Sequence, residues 1–99
     1  MIKRRLNPVF HGAKFKGLLE KYRVKRIAIF GSYAEGRASA KSDIDFLVEF
    51  EKGVSLLDFV GLKLDMQDLL KKNVDIATPK SLSKYIRRQI LEQAVYLYE

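Results

Sequence analysis

Between positions 43 and 50 the chain alternates without a break. Ile44, Phe46, Val48 and Phe50 fall on one side, and Asp43, Asp45, Leu47 and Glu49 on the other. A period of two is the period of a β-strand, whose successive side chains point to opposite faces of a sheet. Such a segment has to lay its apolar side on a core. It leaves two carboxylates, two residues apart, at the start of the opposite side. Any fold for this chain is therefore built around a sheet with one packed face and one face that begins with acid.

The neighbouring segments fill in that sheet. Val24 to Phe30 is β-rich and stops at Gly31, which predicts a first strand. Upstream, Phe15, Leu18, Leu19 and Tyr22 recur at helical spacing and predict a helix over 13–22. Ser32 to Ser42 is small and polar, reads as a loop, and is long for a hairpin connection. After Gly53, Ser55 is the expected N-cap of a helix running to about Leu70. Phe59, Leu62, Met66 and Leu69 form one apolar stripe on it, and Leu57, Val60 and Leu64 form a second. The second is expected to join the core, or else to meet a partner or another copy of the chain. Val74 to Ala77 predicts a third strand ended by Pro79. A last helix is expected after Ser81 or Ser83, carrying Leu82, Ile86, Ile90 and Val95.

The order helix, strand, strand, helix, strand, helix makes this an α+β chain. Strands two and three flank a helix, so they should be parallel neighbours joined by a right-handed crossover. Strands one and two should be antiparallel. The expected fold is a three-stranded mixed sheet, order 1-2-3, with helices packed on one face. Ninety-nine residues suit a single domain, with the motif-bearing core over about 24–99.

Composition narrows the functional classes. There is no cysteine, so neither a disulfide framework nor a thiolate metal site is available. The basic start, Met1 to Arg5, is not followed by an apolar stretch and does not read as a signal peptide. No run approaches the length of a membrane span. The expectation is a soluble, cytoplasmic domain. The net charge of +7 and pI near 9.7 suit a polyphosphate, an acidic partner protein or nucleic acid. The charge is dispersed along the chain, which tempers the nucleic-acid reading.

The chemistry gathers in three places. Asp43 and Asp45 lie two apart on a strand and project from one face. Asp75 sits in the next parallel strand, about 5 Å away across the ladder. Three carboxylates so placed offer hard oxygen ligands for a cation such as Mg²⁺, and without a cation their repulsion is costly. Gly31, with no side chain, lets the backbone at the strand end approach a phosphate. Ser32 adds a hydroxyl, and the N–H groups of the following turn add donors. Arg37, and less directly Lys80, are candidates to touch phosphate oxygens. Tyr33 either stacks on a base or covers the strand end. His11 lacks a second histidine or cysteine, and reads as a surface or packing residue.

Phe30-Gly31-Ser32-Tyr33-Ala34-Glu35-Gly36-Arg37, followed by Ser42-Asp43-Ile44-Asp45-Phe46-Leu47-Val48, resembles the polymerase-beta-like nucleotidyltransferase superfamily. More narrowly it is similar to the minimal nucleotidyltransferases of bacteria and archaea. Val74-Asp75-Ile76-Ala77-Thr78-Pro79 and the closing helix fit as well, although members often carry Arg where this chain has Tyr33. The resemblance implies transfer of AMP from ATP to an acceptor hydroxyl, with two Mg²⁺ ions bridged by Asp43 and Asp45 and one completed by Asp75. Gly31 and Ser32 would hold the departing pyrophosphate. It further implies a HEPN-type helical toxin as partner, with a tyrosine of that toxin as acceptor. Larger members hold base or acceptor with an added helical domain. None is expected here, so the partner should supply acceptor recognition. Two alternatives stay open at this point: an antitoxin that acts by contact alone, and a transferase directed at nucleic acid. A homo-oligomer is also open.

Overall fold

The structure, a computed structural model, describes Phe10, residues 12–35 and residues 43–98. Helix α1, Ala13–Lys21, leads into strand β1, Val24–Phe30. Gly31 and a short helical turn, α2 (Ser32–Glu35), follow. Strand β2, Ile44–Phe50, is next, then helix α3, Leu56–Leu70, and strand β3, Val74–Ala77. A 3-10 turn at Pro79–Ser81 precedes helix α4, Lys84–Gln93, and strand β4, Val95–Tyr98.

The sheet order is β3-β2-β1-β4. β1 and β2 are antiparallel and β2 and β3 parallel, as expected from the connections. The fourth strand was not expected: β4 adds antiparallel to the free edge of β1, with Val95 opposite Ile29. Ile86 and Ile90 keep helical spacing, but Val95 comes five residues later and leaves that face. Ala94 takes an extended conformation and ends α4. Val95-Tyr96-Leu97-Tyr98 is then β-branched and aromatic, the composition that suits a pleated edge. Leu82 also lies outside the helix, as the residue closing the 3-10 turn. Ser83 caps α4 through Ile86 N–H (3.4 Å), while Ser81 accepts from Thr78 N–H (3.1 Å) in the turn before it.

α1 and α3 pack on the apolar face. Phe15 and Leu19 from α1, and Leu62 and Met66 from α3, close over Ile27, Ile29, Ile44, Phe46, Val48 and Val74. Phe10, Phe15 and Phe46 meet with ring centroids 5.5 to 6.2 Å apart. Aromatic packing of this kind adds to area burial. A polar latch joins the two helices: Tyr22 donates to Asp65 at 2.5 Å, and Lys21 stands 3.5 Å from the same carboxylate. Gly61 makes room for it, since a Cβ there would meet the Tyr22 ring at 2.8 Å.

Ser55 caps α3 as expected, in a reciprocal box with Asp58. The second stripe of α3 does not join the core. Leu57 is 82% exposed, with Val60 and Leu64 exposed beside it and Leu56 at 76%. α3 has a single neighbouring layer, and Leu62, Met66 and Leu70 take up the side that faces it.

Candidate active site

The register of β2 against β3 sets the site. Asp45 is the direct partner of Asp75 across the parallel pair, and Phe30 is its partner across the antiparallel pair with β1. Asp45 thus sits between the neighbouring strand's carboxylate and the residue preceding Gly31. Asp43 and Asp75 are exposed and Asp45 is half-buried. Burial raises the pKa of Asp45 above the ordinary carboxylate value, and the charges of Asp75 and then Asp43 raise it further. The two neighbours therefore act on one carboxyl group, as the sequence spacing anticipates.

Gly31 closes this arrangement from the β1 side. Its φ of +74° lies in the left-handed region, where glycine carries no steric cost. A Cβ at this position would stand 2.5 Å from Asp45 Oδ2, closer than any side chain can come. The absence of a side chain at residue 31 is thus required twice, once by the turn and once by the neighbouring carboxylate. Ser32 begins α2 directly after it, where a loop was expected. Tyr33 packs against the core and Ala34 is buried, so the tyrosine covers the strand end.

Arg37 and His11 lie outside the described residues. Lys80 lines a cavity of about 440 Å³ with Val48, Glu49, Phe50, Val54, Thr78 and Pro79. It is therefore at the far end of β2, four residues or roughly 13 Å from Asp45, and does not join the carboxylates. One pair that the sequence did not suggest lies on the same face. Arg26 donates to both oxygens of Glu49 at 2.9 Å, directly across the β1–β2 ladder. Opposite charges on two strands become a pair only once the register is known.

Among the described residues, no group of three or more acidic or histidine side chains is gathered tightly enough to hold a metal by itself. The donor chemistry nonetheless fits Mg²⁺. That ion keeps several waters and is bound by one or two carboxylates together with substrate phosphates, rather than by an all-protein cage. Asp45 and Asp75 in register, with a side-chain-free backbone at Gly31 beside them, offer that partial set of ligands. Asp43 is near enough to raise the Asp45 pKa.

Known proteins are similar to this chain in sequence and in fold. The family model described as nucleotidyltransferase domain matches residues 14–97, which takes in α1 as well as the motif-bearing strands. A protein of Methanocaldococcus jannaschii named as a protein adenylyltransferase, MJ0435, is 44% identical over 94 residues, covering 95% of this chain and 91% of the relative. A solved structure described as a minimal nucleotidyltransferase superposes with a TM-score of 0.76 at 33% identity, covering 94% of this chain and 98% of the other. A crystal structure of a toxin–antitoxin with AMP-PNP gives a TM-score of 0.72 at 26% identity, over 86% of this chain and 70% of that one. With this extent of match, and with the paired aspartates and Gly31-Ser32 in place, the chain belongs to the nucleotidyltransferase domain family and is a nucleotidyltransferase.

Proposed function

We propose that this chain transfers AMP from ATP to a hydroxyl of a protein acceptor, a tyrosine of a HEPN-type helical toxin, and so acts as that toxin's antitoxin. The observation that carries the proposal is the in-register pair Asp45 and Asp75 beside Gly31. Similarity to a protein named as a protein adenylyltransferase, and to a toxin–antitoxin that holds AMP-PNP, supports the choice of nucleotide and acceptor.

In this reading the acceptor oxygen attacks the α-phosphorus of ATP. A new O–P bond forms, the bond to the bridging oxygen breaks, and pyrophosphate leaves with that electron pair. The acceptor proton passes to solvent. Asp43, Asp45 and Asp75 would hold Mg²⁺, which when bound neutralises phosphate charge and favours the ionised acceptor. Gly31 lets the chain approach the β- and γ-phosphates, and the Ser32 hydroxyl donates to them. Asp45 has to be ionised to act as a ligand, so its raised pKa makes binding compete with a proton. Catalysis on such a plan is mostly positioning and charge neutralisation.

The choice of labelled phosphate tests the reaction class. The protein is incubated with Mg²⁺, a HEPN-type helical protein, and ATP labelled at either the α- or the γ-phosphate. Label on the acceptor from α-labelled ATP alone is expected. Label from the γ-position would mean phosphoryl transfer and would overturn the proposal.

A further inference from the structure

Outside the carboxylate site, the outward face of α4 combines charge and apolar surface in a way that the fold does not use. None of its ten residues is buried. Lys84 and Arg88 are exposed one turn apart, and exposed Lys80 stands just upstream. None of the three makes an ion pair with a described carboxylate. Tyr85 is 86% exposed and Leu91 42%, each three residues from Arg88 and so on the same side of the helix.

Helix stability does not account for these cations. Lys84 is the first helical residue, and the first turn has no acidic residue. The helix dipole disfavours positive charge at that end.

We infer that this face of α4 is the surface on which the protein acceptor docks, through an acidic, apolar-centred patch of that partner. The inference rests on the proposed transfer to a protein. Charge complementarity selects an acidic occupant for a chain of net charge +7. The aliphatic Leu91 beside Tyr85 favours a protein over a nucleic-acid strand, which would stack its bases on aromatic rings and finds only Tyr85 on this face.

The position of α4 links docking to chemistry. Val95, two residues past the end of α4, pairs with Ile29, two residues before Gly31. The last turn of α4 therefore lies beside the site. Its basic first turn is about 15 Å away at 1.5 Å per residue. A partner held on this face presents its acceptor side chain roughly that far from its acidic patch.

The test compares wild type with the double variant K84E/R88E and with E92K, which makes the same face more basic. All three positions are exposed, and circular dichroism checks the fold. The acceptor is a HEPN-type helical protein, with labelled Mg-ATP. The KM for this protein acceptor is expected to rise at least tenfold in K84E/R88E and to fall in E92K. The KM for ATP and kcat at saturating acceptor are expected to stay unchanged. Acceptor binding by wild type should weaken with salt, and that of the double variant should not.

Unchanged acceptor KM in K84E/R88E, with normal transfer, removes the docking surface and leaves the proposed function standing. Charge-dependent binding of the acceptor without any label does the reverse. A basic face that binds single-stranded RNA and not the protein overturns the inference, as does wild type that neither binds nor labels the protein.

Discussion

Asp45 and Asp75 are direct neighbours across the parallel ladder of β2 and β3, with Gly31 approaching Asp45 from the β1 side. Two like charges in adjacent register positions are unfavourable alone and useful around a cation. The behaviour of Asp45 follows from that pairing.

The pKa of Asp45 is raised in the folded protein, by burial and then by Asp75 and Asp43. Between its ordinary value and the raised one, the native state holds more proton than the unfolded chain. Stability of the metal-free protein from this group therefore falls as pH rises through that window, and the penalty is complete above the raised value. Mg²⁺ with ATP is expected to offset the penalty and raise the Tm at neutral pH, with less effect as pH approaches the ordinary carboxylate range. Asp45→Asn is expected to melt no lower than wild type without metal, and to lose transfer by roughly 10²-fold or more. A thermal scan against pH, with and without Mg-ATP, reads these effects. A Tm indifferent to millimolar Mg-ATP at neutral pH would count against the site.

Gly31→Ala places a methyl group against Asp45 Oδ2 in a backbone conformation that alanine resists. The strain is expected to cost about 1–3 kcal/mol in denaturant unfolding. Transfer should fall further than stability explains, because the displaced group is a reacting-site carboxylate. A variant with wild-type transfer rates would show that the close approach is incidental.

Ser55→Ala removes one half of the capping box that starts α3. The expected loss is about 1 kcal/mol in urea unfolding, with kcat and the KM for ATP unchanged. Reduced kcat in a folded variant would tie α3 to the chemistry.

The latch between α1 and α3 has its own pH signature. The hydrogen bond from Tyr22, and to a lesser degree Lys21, lowers the pKa of Asp65. Its contribution is full above the ordinary carboxylate value and is lost as pH falls through the lowered one. Tyr22→Phe is expected to lower the Tm at neutral pH and to leave a smaller difference from wild type in acid. A difference constant across the whole range would remove the latch from the account.

The site was more legible in the sequence than the edges of the fold. Ile44, Phe46, Val48 and Phe50 define a strand by period alone, and that period puts Asp43 and Asp45 on one face. Asp75 could be placed beside them because a helix-length connection makes β2 and β3 parallel neighbours. β4 was missed because Ile86 and Ile90 carry a helical rhythm up to the point where Ala94 breaks it. Only β1's vacant edge, a tertiary fact, gives Val95 to Tyr98 a partner. The exposed Leu57 and Leu64 were hidden for the converse reason. Hydrophobic spacing marks a helix face, but not whether a second layer exists to cover it. Lys80 looked close to Asp75 along the chain, yet a strand carries its two ends apart.

The central claim is transfer of a nucleoside monophosphate to a protein side chain at the Asp45–Asp75 pair. Mass spectrometry of a HEPN-type helical protein, after incubation with Mg-ATP and wild type, Asp45→Asn or Asp75→Asn, tests it most directly. The account predicts AMP on a tyrosine of the acceptor with wild type, and none above background with either variant. A stable complex that never carries AMP, or equal labelling by all three proteins, would contradict it.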